Sequence, residues 1–356
     1  MIIRFLQCHR EASVALIILA LFAGLGLVDP TYLSVDTFLL VYGNSLILFV
    51  VAVGATMVMA THGLDVSIGS IMGLAAAIAG ILMNHHYGVA VSIGAALLAG
   101  LACGLFNGVL VALLRVSAIV ATLGTLGLYR GFVHLLTGGS WIEGLPEGFK
   151  ALTHERYFGL SSFAWAVLVL LIVSHAFLRW TKFGRSMFAV GDNREGARLI
   201  GIRVGWVQLV AFALNGVLAA FAGVVFASQI GFIPNTAGTG MEMRAIASSV
   251  LGGVSLLGGT GTVLGAALGA FFMTSIDSVL VLLRLEAYWN DIIAGAILLI
   301  VLITDGKIRE TVDSLLRYQK YRKFLDPESG SASAAGPHAG VPSDAVLTLT
   351  SSEVQK

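Results

Sequence analysis

Few side chains in this sequence could do chemistry, and those that could stand isolated within apolar surroundings. Asp65, Asn107, Asn215, Gln229 and Asp277 are carboxylates and amides set among long stretches of Leu, Val, Ile, Ala and Gly. With nearby Ser and Thr hydroxyls they can exchange hydrogen bonds with a neutral, hydroxyl-rich solute without holding it tightly. In lipid such groups are costly, about 2.5–3.5 kcal/mol for a central charge on insertion scales, which makes them candidates for lining a path. Each also has a plainer reading. Asp65, two residues before Ser67, reads equally well as a cap at the start of a helix. Asp277 and Arg284, seven residues apart, share a helix face and form either a packing pair or part of an electrostatic network along a path.

The absences narrow the chemistry. There is no GxxxxGK[ST] phosphate loop, since Gly306-Lys307 is followed by Ile308, so energy from ATP must come from a partner. No exposed Ser-His-Asp arrangement and no His/Cys group with zinc spacing occurs, so neither an enzyme activity, a cofactor nor a metal is expected. His85-His86 read as solvated surface, and Cys8 and Cys103 as free thiols. The sparse intramembrane charge argues against a proton- or sodium-driven carrier and against a channel with a charged ring. A net charge of +1 points to no nucleic-acid partner.

One polar stretch is richer. Residues 179–206 carry six cations and contain Gly191-Asp192-Asn193, a turn and helix cap, followed by a short helix from Arg194 to Ile200 that Gly201 stops. A capped, basic, amphipathic helix lying on a membrane surface can dock into a groove of another protein; alternatively it rests on anionic lipid.

The elements that must position these residues follow from hydropathy. Of the 356 residues, 57% are apolar and 12% charged, against about 25% charged in soluble domains, so lipid is the solvent for most of the chain. Spans are expected near 12–28, 37–60, 67–83, 89–114, 116–136, 162–178, 207–229, 243–258, 260–283 and 286–303. The first is read as an uncleaved span rather than a signal peptide. The eighth, with Leu251-Gly252-Gly253 and Gly258-Gly259, suggests a broken or re-entrant helix. Ten spans place both termini in the cytoplasm and gather sixteen of the 21 Lys and Arg on that side. Residues 137–160 read as an outer loop, 1–325 as a single transmembrane domain and 326–356 as a disordered cytoplasmic tail.

Gly100, Gly104 and Gly108, and likewise Gly261, Gly265 and Gly269, recur every four residues, as on faces where helices approach closely. Asn107-Gly-Val-Leu-Val-Ala and Asn215-Gly-Val-Leu-Ala-Ala hint at an internal repeat.

The pattern Gly191-Asp192-Asn193-Arg194-Glu195-Gly196-Ala197-Arg198-Leu199-Ile200-Gly201-Ile202 resembles the permease subunits of ABC importers for sugars, the ribose-type branched-chain permease family. The stretches 121–131 and 251–259 fit that family too, and the likeness covers residues 1 to about 325. The segments 141–146, 226–242 and 277–284 more closely resemble permeases of autoinducer-2 importers. The resemblance implies an all-α polytopic ABC importer permease in a bacterial inner membrane. It also implies that Gly191, Asp192, Asn193, Arg194, Glu195, Ala197, Arg198 and Gly201 form a helix coupled to an ATPase. The implied partners are a second, homologous permease, ABC ATPase subunits and a periplasmic binding protein. Alternatives are an importer for another sugar, ribose- or rhamnose-like, and a stand-alone facilitator.

Overall fold

The computed structural model describes residues 10–300, apart from 283, 285, 287, 290, 291 and 298. Helix α1 (Arg10–Val28) leads through a short 3-10 turn to α2 (Val35–Ala60), where Ser34 caps the first turn by accepting from the Thr37 amide at 3.2 Å. Then come α3 (Ile68–Asn84), α4 (Val89–Gly108, prolonged by a π-helical turn Val109–Leu113) and α5 (Ala118–Thr137). A short α6 (Glu147–His154) and a hairpin, β1 (Arg156–Tyr157) with β2 (Leu160–Ser161), precede α7 (Ser162–Trp180). The remainder is α8 (Lys182–Asp192), α9 (Arg194–Leu199), α10 (Val204–Ile230), α11 (Met241–Leu251) and α12 (Val263–Leu282).

Six of these, α2, α4 with its π turn, α5, α7, α10 and most of α12, are long and apolar enough to cross a bilayer, and α1 and α3 contain shorter apolar helices. The chain is an all-α polytopic membrane protein. The described residues do not by themselves make up the ten expected spans. The expected eighth span is instead the 11-residue α11, about 16 Å long at 1.5 Å per residue, roughly half of a ~30 Å hydrocarbon core. The expected tenth span, 286–303, is only partly described, with helical residues at 288–289, 292–297 and 299–300. Cys8, Arg4, the cations from Lys307 onward and the tail 326–356 lie outside the described residues.

The non-helical backbone around α11 is sheltered, as it must be away from water. Ile233 exchanges two 2.9 Å backbone hydrogen bonds with Ile142. Deeper along the same segment, the Arg130 guanidinium donates to the Ala237 carbonyl at 2.6 Å, and the Gly240 amide donates to Glu242 Oε1 at 3.2 Å. Arg130, a cation inside α5, thus satisfies a carbonyl that no helix serves.

Residues 137–160, read as a plain loop, fold into α6 and the hairpin. Phe149 on α6 is fully buried, and Ser228 of α10 donates to its carbonyl at 2.7 Å. Eight residues are too few for periodicity to announce this helix.

Helix α10 sits at the centre, packed on α2, α3 and α4. Its contact with α4 is backbone to backbone: a Cβ on Gly216 would lie 2.2 Å from the Gly100 carbonyl, and one on Gly104 2.4 Å from the Phe212 carbonyl. The spacing of Gly100 and Gly104 does mark a close crossing. Of the second expected run, Gly265 and Gly269 meet Gly252 and Ser248 in the same way, whereas Gly261 lies before α12 in irregular backbone. Gly216→Val is expected to cost about 1–3 kcal/mol through overpacking against backbone. Gly124→Val, facing open space, is the control; melting of both variants in detergent measures the difference.

Candidate functional site

Asp65 lies in the turn between α2 and α3 and is buried. One carboxylate oxygen accepts from the Ser67 amide at 2.8 Å and the Ser67 hydroxyl at 2.6 Å. The other accepts from Asn215 Nδ2 at 2.8 Å and lies 3.5 Å from Asn107 Nδ2, which also donates to Ser67 Oγ at 2.8 Å. The Tyr129 hydroxyl is within 3.1 Å of Asn107 Oδ1 and 3.0 Å of the Cys103 carbonyl. Both asparagines of the suspected repeat therefore converge on one carboxylate and, with it, knot α3, α4, α5 and α10 together. The local part resembles the expected cap, with Ser67 at the cap position, but Asp65 supplies the accepting oxygen. Asn215 Oδ1 has no partner among the described residues and lies against Gly54, where a Cβ would come within 2.3 Å of it.

At the end of the bundle carrying α8 and α9, short-range sequence does much of the building. Thr181 caps α8 by accepting from the Gly184 amide at 3.0 Å. Asn193 caps α9 by accepting from the Gly196 amide at 2.9 Å, and Gly201 turns the chain with φ 85°. Gly191 and Asp192 are not part of the turn; they form the last residues of α8. A Cβ on Gly191 would lie 1.9 Å from the Ala60 carbonyl and 2.5 Å from the Gly259 amide. The Gly259 amide itself donates to Ala60 O at 3.3 Å, so the ends of α2 and α8 and the loop after α11 meet at one joint. His62 Nδ1 meets the Leu257 carbonyl beside it.

On α9, Ala197 is buried, Arg198 pairs with Glu195 at 2.5 Å, and Arg194 reaches the His62 carbonyl at 3.4 Å. Leu199, the last residue of α9, is 88% exposed and Ile200, just beyond it, 75%. A cavity of about 640 Å³ opens beside them, lined by His62, Arg115, Arg194, Arg198 and Gln208, with no carboxylate in its wall among the described residues. Arg115 and His62 each stand in a short turn, and the left-handed backbone of both, φ 57° and 61°, is a tertiary feature that the sequence did not announce.

Gln229 and Asp277 lie at the opposite end of the bundle, in the wall of a cavity of about 560 Å³ that Asn44, Thr37 and Ser278 also line. Asp277 pairs with Arg244 of α11, not with Arg284, which sits exposed in a turn beyond α12. The expected i, i+7 pair fails because α12 stops before Arg284 and α11 brings a nearer cation. Of the five expected path residues, the structure thus joins three in a buried knot and places two at a cavity. Among the described residues no group of His, Cys, Asp or Glu could hold a metal ion.

A family model described as branched-chain amino acid transport system / permease component matches residues 37–302. The chain belongs to this permease family. It is a transport permease rather than an enzyme. It is 53% identical over 337 residues to the autoinducer 2 import system permease protein LsrC of Salmonella typhi, covering 95% of this chain and 97% of that one. The LsrC protein of Yersinia enterocolitica is 54% identical over 321 residues, 90% and 89% of the two chains, and that of Yersinia pestis strain Pestoides F 54% identical over 322 residues, 90% and 92%. No solved structure matches.

Proposed function

We propose that this permease is a membrane subunit of an ABC importer that carries autoinducer-2 across the bacterial inner membrane. The observation carrying this reading is the 53% identity along 95% of the chain to a permease of that name. The polar groups of the chain suit such a cargo, being neutral amides and hydroxyls with few charges. An ATPase pair, a periplasmic binding protein and a second, similar permease complete the assembly. The α8–α9 end faces the cytoplasm, in keeping with its cations, and both termini lie on that side. The loaded binding protein docks outside and the ATPase dimer closes on ATP. Helix α9 transmits that closure through the joint at Gly191 to α2 and α11. Gly191, Asp192, Asn193, Ala197 and Gly201 shape the element; Arg194, Glu195, Arg198 and the apolar pair Leu199 and Ile200 contact the ATPase.

Cells carrying all subunits should lose uptake of labelled autoinducer-2 when this chain is deleted, and excess ribose should leave uptake intact. Abolition by ribose would indicate a ribose importer, and uptake that survives deletion would remove the chain from the process. Within the working importer, combined Arg194→Glu and Arg198→Glu is expected to lower uptake about tenfold or more, because charge reversal at a docking rim costs over ~1.4 kcal/mol. Membrane insertion should not change, since the exposed Arg198–Glu195 pair contributes little to stability. Co-purification of the ATPase with the variant checks the cause.

A further inference from the structure

The end of the bundle opposite α9 holds two cavities with a common wall. One, of about 340 Å³, lies against the hairpin and α6 and includes His154, Arg156 and Ser161. The other, of about 560 Å³, includes Thr274, Asp277 and Ser278 of α12. Leu40, Asn44 and Gln229 line both. Asn44 is exposed although it sits in the apolar helix α2. A bare amide facing lipid would be costly, so its exposure marks a surface wetted by water or solute.

Gln229 Nε2 donates to Asn44 Oδ1 at 3.5 Å, a long and weak contact between the two cavities. Gln229 Oε1 and Asp277 Oδ1 are both shielded from solvent and without a partner among the described residues. Leaving a shielded acceptor unpaired costs about 1–3 kcal/mol, which a donor from a bound molecule can offset. The Arg244 guanidinium engages the other oxygen of Asp277 and balances its charge. Asp29 in the same wall already accepts from the Thr31 amide and hydroxyl, and Arg156 lines the neighbouring cavity; the unpaired oxygens of Gln229 and Asp277 are the acceptors left for O–H donors on an uncharged molecule.

Resting on the import reading above, we propose that Asn44 and Gln229 form the outer gate of the solute route, and that Gln229 and Asp277 select a small neutral polyol by accepting its hydroxyl hydrogens. When the amide pair separates, the two cavities join and the shielded oxygens become available to the solute.

The test uses the complete importer with Cys8 and Cys103 replaced by Ser. In Asn44→Cys, the new thiol should react with a membrane-impermeant maleimide added outside, autoinducer-2 with its binding protein should slow the reaction, and labelling should block uptake. Gln229→Leu and Asp277→Asn should each raise the KM for uptake about tenfold and shift the preference between autoinducer-2 and ribose, with ATPase co-purification unchanged. An Asn44→Cys thiol that is unreactive from outside, or unaffected by solute, would overturn the gate. So would Gln229→Leu and Asp277→Asn variants with the parent's KM and preference. The import reading fails separately, through uptake that survives deletion of the whole chain, and the thiol's access from outside is read whatever the solute proves to be.

Discussion

Asp65→Ala is expected to destabilise the protein more than any single removal among the residues around it, by about 3 kcal/mol or more. The substitution strands the Ser67 amide and the whole side-chain amide of Asn215, whose oxygen already lacks a partner among the described residues. Each shielded group left unpaired costs about 1–3 kcal/mol. By contrast, a hydrogen bond between helices in a bilayer averages about 0.6 kcal/mol, so Asn107→Ala, which leaves Asp65 bound to Ser67 and Asn215, should have a small effect. Thermal unfolding of the purified variants in one detergent checks the order. If Asn107→Ala proved as harmful as Asp65→Ala, the carboxylate would not be the centre of the knot. Because the knot ties the α2–α3 turn to both repeat asparagines, its loss should also reduce uptake by more than the loss of folded protein explains.

Gly191→Leu should abolish most transport while leaving the chain in the membrane. The contact atoms are the Ala60 carbonyl and the Gly259 amide, both backbone, so no side chain can rotate away from a Cβ that would lie 1.9 Å from the nearer one. The end of α8 must move instead, and overpacking of this kind costs about 1–3 kcal/mol. Placed at the joint between α2, α8 and the loop after α11, that displacement is expected to lower uptake about tenfold or more. Gly196→Ala, whose Cβ would meet only the Asn193 side chain at 3.2 Å or beyond, is the matched control on the neighbouring helix. Uptake per molecule inserted, measured for both, separates the outcomes; equal uptake would show that the joint tolerates movement.

Hydropathy and short-range hydrogen bonding are local properties, and what depends on them was legible in the sequence. Long apolar runs placed the chain in lipid, and the glycine-rich eighth segment marked the broken helix that became α11. Asn193 capped α9 because its oxygen needs only an amide three residues on. The four-residue spacing of Gly100 and Gly104 announced a close helix crossing. Which polar groups would meet was decided only by the tertiary structure. Asp65 finds Asn215 across 150 residues and Gln229 finds Asn44 across 185. Asp277 takes Arg244 rather than Arg284, and Gly191 serves a contact with Ala60 rather than a turn. An amide or carboxylate can accept or donate to many partners, so periodicity along one helix does not choose among them. The choice follows from which helices pack together, and in lipid that depends on backbone approach and on satisfying each sheltered polar group.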